Sequence, residues 1–146
     1  MPDRIALVTA RLTSEEGFRA DVYDDFDDTP IVLASGGSPT IGYGCRCRQW
    51  SRAFAAAVLG LQVTDVDTEL RAYPWYTGID EVRGSVLLDV AFNAGVSGLV
   101  NGYPKMVAAA SAANWSAMAA ECTDVNPAID ASRYAPLRQI ILTGAA

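Results

Sequence analysis

Ile5, Val8 and Leu12 recur at three- and four-residue spacing, which predicts a helix over 3–16 with one apolar face. Gly17 follows as a left-handed terminator. From 18 to 44 the pattern changes to aspartates, Pro30, the run Ile31-Val32-Leu33, then Gly36-Gly37 and Pro39. That mixture predicts a small antiparallel sheet with turns around Asp27-Asp28 and Gly36-Gly37. Ser51 is a candidate cap for a helical region in which Leu59, Val63, Val66 and Leu70 repeat. This helix should run to about Tyr73, before Pro74 stops it. Beyond it only helical patterns appear, at about 79–93, 104–121 and 128–142. Leu87, Leu88, Val90, Ala91 and Phe92 are apolar almost all round, the mark of a buried central helix.

The expected fold class is α+β, mainly helical, in one domain spanning 1–146. An N-terminal lobe with the small sheet (about 1–57) is joined by a linking helix (about 58–73) to a helical C-terminal lobe (about 74–146). A cleft is expected between the lobes. The plainer alternative is an α+β domain whose sheet packs on the helices without a cleft.

Composition narrows the chemistry. The chain of 146 residues has no histidine, which excludes Ser-His-Asp and Cys-His catalysis and His-ligated zinc. Acid–base work near neutral pH falls mainly to carboxylates. A net charge of −6 argues against nucleic acid as a partner, since phosphate binding needs a basic surface. The three cysteines, Cys45, Cys47 and Cys122, lack a fourth ligand and the spacing of a zinc site; free, reduced thiols are the expectation, with a bridge from Cys45 or Cys47 to Cys122 as the alternative. No stretch reaches the roughly 18 apolar residues of a membrane helix, so no stable membrane insertion is expected. The first residues show no signal-peptide pattern, which points to synthesis in the cytoplasm. Neither cofactor nor metal is required by the residues singled out below.

Glu16 stands at the end of the first predicted helix, where the negative end of the macrodipole disfavours a second negative charge. Burial in a cleft would add to that effect, keeping the carboxyl protonated as a general acid must be. The plain reading is a solvated helix-end glutamate like Glu15. Asp25 lies in the acidic run Asp21, Asp24, Asp25, Asp27, Asp28, which otherwise reads as a solvated turn. Its functional reading is a base that activates water, with Asp25 preferred to Asp24 on its spacing from Glu16. Paired carboxylates divided into acid and base are the general solution for glycoside hydrolysis. Thr40, in Pro39-Thr40-Ile41-Gly42-Tyr43-Gly44, offers a hydroxyl to the same water, or is simply a strand threonine.

Glu16-Gly17-Phe18-Arg19, Tyr23-Asp24-Asp25 and Thr40-Ile41-Gly42-Tyr43-Gly44 together resemble the motifs of the phage-type lysozymes, endolysins of glycoside hydrolase family 24. Ala91-Phe92-Asn93-Ala94-Gly95 is similar to the family's Phe-Asn-x-Gly helix end. The resemblance covers most of the chain and implies a lysozyme-like fold acting on the glycan strands of bacterial peptidoglycan. It implies Glu16 as general acid, Asp25 and Thr40 as partners of the attacking water, and Asn93 and Tyr43 as glycan-binding residues. Arg133 would pair with the catalytic glutamate and lower its pKa, opposing the dipole. The implied activity is that of an inverting N-acetylmuramidase for cell lysis. The protein would act as a monomer after synthesis in a host cytoplasm, delivered by a holin-like factor or from a virion.

Two departures stand out. Fourteen residues separate Asp25 from Thr40, more than in many members, which suggests a longer hairpin over 27–38. Cys45 stands where the family usually has a histidine. Competing functions are a lytic transglycosylase, which needs the glutamate but no basic aspartate, and a non-catalytic glycan-binding or virion structural domain.

Overall fold

The computed structural model describes residues 3–16, 40–41, 45–46, 50–123 and 130–146. Helix α1 spans Arg4–Glu16. Its buried face is built from Arg4, Val8 and Leu12, four residues apart. The Asp3 carboxylate accepts from the Ile5 N–H at 3.1 Å and begins the helix. Helix α2, Arg52–Leu70, opens on Ser51, whose hydroxyl accepts from the Phe54 N–H at 3.2 Å. It ends three residues before the expected stop, with Pro74 instead opening the short helix α3, Pro74–Thr77.

Helix α4, Glu81–Ala94, is the centre of the molecule. Gly84 through Ala91 are all buried, and the helix packs on α1, α2, the following helix and the last one. This confirms the buried helix expected from the all-round apolar run. Asp80 caps its start through the Arg83 N–H at 2.9 Å. Gly95 ends it with φ 77° and ψ 155°, backbone values essentially confined to glycine. Helix α5, Val96–Gly102, starts at once from that turn and was not expected.

The helix expected over 104–121 is two helices, α6 (Pro104–Ser111) and α7 (Trp115–Glu121). Ala113 takes a left-handed φ of 51° between them, and the Asn114 side chain accepts from the Ala117 N–H at 3.1 Å. An asparagine able to cap outcompetes continuation of an alanine-rich helix. The last expected helix, 128–142, is a π-helical turn at Asp130–Tyr134 that leads into α8, Ala135–Thr143.

Among the described residues the predicted N-terminal antiparallel sheet lobe is not found, and the α+β fold class is corrected to a helical one. Between α1 and α2, Thr40 pairs with Arg46 and Ile41 with Cys45, two residues a side, with no further strand beside them among the described residues. A ladder of that length presents no face that can form a layer. The expectation rested on Gly and Pro composition rather than on a sustained alternation, and composition alone marks turns without proving strands. The expected turns at Asp27-Asp28 and Gly36-Gly37, the 27–38 hairpin and the Gly17 terminator lie outside the described residues. The helical half of the expected lysozyme-like arrangement stands.

Candidate active site

Glu16 is the last residue of α1, as expected for the candidate acid. Thr40 lies in the first paired segment, opposite Arg46. Asp25 and Tyr43 lie outside the described residues. Asn93 sits one residue before the end of α4, exposed, and its amide donates to the Asp89 carbonyl at 2.9 Å. Arg133 lies in the π-helical turn and donates from Nη2 to Asp89 Oδ1 at 3.1 Å.

Two of the predicted residues, Asn93 and Arg133, are therefore brought together on a third that sequence reasoning missed. Asp89 is fully buried in α4, yet carries a carboxylate. Its other oxygen accepts from Arg11 Nε at 2.5 Å, and the Arg11 Nη2 reaches the Ser85 carbonyl at 2.8 Å. Arg11 belongs to α1, one residue before the fully buried Leu12 and five before Glu16. Five residues of helix are roughly 7.5 Å along the axis. One carboxylate thus ties the helix that ends in Glu16 to the central helix and to the turn bearing Arg133.

The arrangement follows from desolvation. An unpaired carboxylate in a buried helix is unfavourable by several kcal/mol, and two guanidinium groups on separate oxygens offset this. A signal was present in the sequence: Asp89 is the sole charge within Leu87–Phe92, and Arg11 falls beside Leu12 on the apolar face of α1. Charged residues at such positions need partners.

A second polar cluster secures the far end of α1. Arg4, 2% exposed, donates from Nε to Glu81 at 2.6 Å and from Nη2 to the Ile79 carbonyl at 3.0 Å. Its guanidinium lies 4.6 Å from the Tyr76 ring centroid. Gly84 permits this approach, since a Cβ there would stand 3.0 Å from the guanidinium. The Tyr76 hydroxyl donates to Asp67 at 2.7 Å. Burial, then that carboxylate, holds the phenol above its ordinary pKa. The geometry of this cluster is that of a structural clamp between α1, α2 and α4.

Among the described residues, no group of three or more His, Cys, Asp or Glu side chains is placed to hold a metal ion. Among the same residues, no helix is long and apolar enough to cross a membrane. Cys122 is buried at the end of α7.

Comparison with known proteins bears on this geometry. The model of the family described as phage lysozyme matches residues 13–136. The matched span holds every candidate residue from Glu16 to Arg133, and Asp89 with them. Curated proteins give no match.

Proposed function

Because the chain belongs to the phage lysozyme family, a family of peptidoglycan-lytic enzymes, we propose that it is a muramidase of glycoside hydrolase family 24. It hydrolyses the β-1,4 bond between N-acetylmuramic acid and N-acetylglucosamine. Glu16 protonates the leaving oxygen, while Asp25 and Thr40 direct water to the anomeric carbon from the opposite face. Asn93 and Tyr43 bind glycan, and Arg133 supports the charge balance around the acid. The reaction inverts configuration, which requires carboxyl groups about 6.5–9.5 Å apart. No cofactor enters these steps. The protein acts as a monomer across its single domain. It is made in the host cytoplasm and reaches the wall through a separate factor or a virion.

The observation that carries this reading is the position of Glu16 as the final residue of α1, inside the matched span. In general a carboxyl on the last residue of a helix feels the negative end of the helix dipole, which favours the protonated form that an acid catalyst needs. The test is release of reducing ends from purified peptidoglycan by wild type and by a folded Glu16→Gln variant. Loss of release in the variant supports the proposal; equal release by both moves the catalytic acid elsewhere. Release of anhydro-sugar ends by the wild type would assign a transglycosylase. A folded wild type that retains glycan without cutting it would assign a binding role.

A further inference from the structure

Asp89 is costly where it stands. Its side chain has no exposure, and its neighbours along α4 are apolar. An apolar residue at such a position packs at least as well as a paired charge, so stability alone gives little reason for a carboxylate. What the carboxylate adds is direction. Arg11, 12% exposed, is anchored twice, on Asp89 and on the Ser85 carbonyl, and so joins α1 to α4 in one register. Arg133 is more open at 23%, and reaches the other oxygen from a π-helical turn, a local geometry often used to aim a side chain at functional sites. Asn93 hangs on the same residue through its main-chain carbonyl.

We infer that Asp89 is a positioning residue: its buried carboxylate fixes the Arg133 guanidinium relative to the helix that ends in Glu16. The inference rests on the lysozyme reading above. The cation that supports the acid would then have its place set before substrate binds. Misplacement of such a group lowers turnover more than it weakens binding, because its value lies in the transition state.

The experiment combines nitrogen-15 NMR of the arginine guanidinium groups with kcat and KM on soluble peptidoglycan fragments. The proteins compared are wild type, Asp89→Asn and the double variant Arg11→Gln/Asp89→Asn. The double variant removes the carboxylate with one of its cations, so a folded protein remains accessible if Asp89→Asn alone unfolds. Asp67→Asn serves as control, since it breaks a comparable buried carboxylate contact, with Tyr76 and Arg71, on α2 rather than in the site.

The expected result is an Arg133 guanidinium that rotates more slowly in wild type than in either Asp89 variant. With it comes a kcat lowered roughly 10- to 100-fold and a KM within about threefold. Asp67→Asn should lower thermal stability with kcat unchanged. A freely rotating Arg133 in wild type overturns the anchoring, and needs no variant to show it. Arg133 rotation as slow in the variants as in wild type does the same. Faster rotation with unchanged kcat overturns the role in turnover. A wild type with no turnover overturns the muramidase reading and the turnover role together, while the NMR arm still decides the anchoring.

Discussion

Arg4 binds Glu81 across 77 positions of sequence through three donors, its own backbone N–H at 3.1 Å, Nε at 2.6 Å and Nη2 at 3.0 Å. The hydrogen bonds from Arg4 hold the Glu81 carboxyl below the usual glutamate range, outweighing partial burial, which acts the other way. A depressed folded-state pKa stabilises the protein above the unfolded pKa of about 4.3, and this is lost as pH falls through the folded value. Glu81→Gln should therefore destabilise by about 1–3 kcal/mol at neutral pH, because Arg4 stays buried without its anion. The difference between variant and wild type should shrink below about pH 4. Urea midpoints measured from pH 3 to 7 check this; a pH-independent difference would remove the pair from the account.

Gly95 turns the chain between α4 and α5 with φ 77° and ψ 155°, and a Cβ there meets nothing within 4 Å. Any penalty for Gly95→Ala is thus backbone strain, of order 1–3 kcal/mol. Gly78 is an apt control, with φ −84° and equally open space. Gly78→Ala should be neutral or stabilise by up to about 1 kcal/mol, through the lower entropy of the unfolded chain. Denaturant midpoints that move equally for the two variants would contradict the strain assignment.

These particulars show which parts of the molecule the sequence made legible. Helix α1, the Ser51 cap and the buried α4 were readable because period and capping chemistry are local. Gly95 was readable as the end of a Phe-Asn-x-Gly string. The break at Ala113-Asn114 was hidden, since a stretch rich in alanine looks helical on either side of a cap. The sheet lobe was wrongly expected, from turn residues without alternation. The partnership of Asp89 with Arg11 and Arg133 spans 78 and 44 positions, and no local period reports contacts of that range. Only the oddity of a charge inside an apolar run pointed to it.

The assignment of Asp25 as base predicts that Asp25→Asn loses at least about 100-fold in turnover, within the range typical of acid–base groups. Thr40→Val should lose less, about 10-fold, with Thr40→Ser recovering most of it, because only the hydroxyl is required. Initial rates of reducing-end release on one soluble substrate give the comparison. An Asp25→Asn enzyme that still cuts, leaving anhydro-sugar ends, would instead support a transglycosylase.

The net charge of −6 bears on how the protein approaches an anionic wall. Like charges repel over a distance set by ionic strength, with a screening length of about 10 Å at 0.1 M salt and 30 Å at 0.01 M. Lysis of whole walls should therefore accelerate as salt rises from about 0.01 to 0.1 M. Turnover of short soluble glycan fragments should change far less over the same range, since each carries only a few charges. Turbidity loss of purified walls, followed beside fragment cleavage at matched salt, separates the two. A monotonic fall in wall lysis from the lowest salt upward would show that attraction, and not repulsion, governs encounter with the wall.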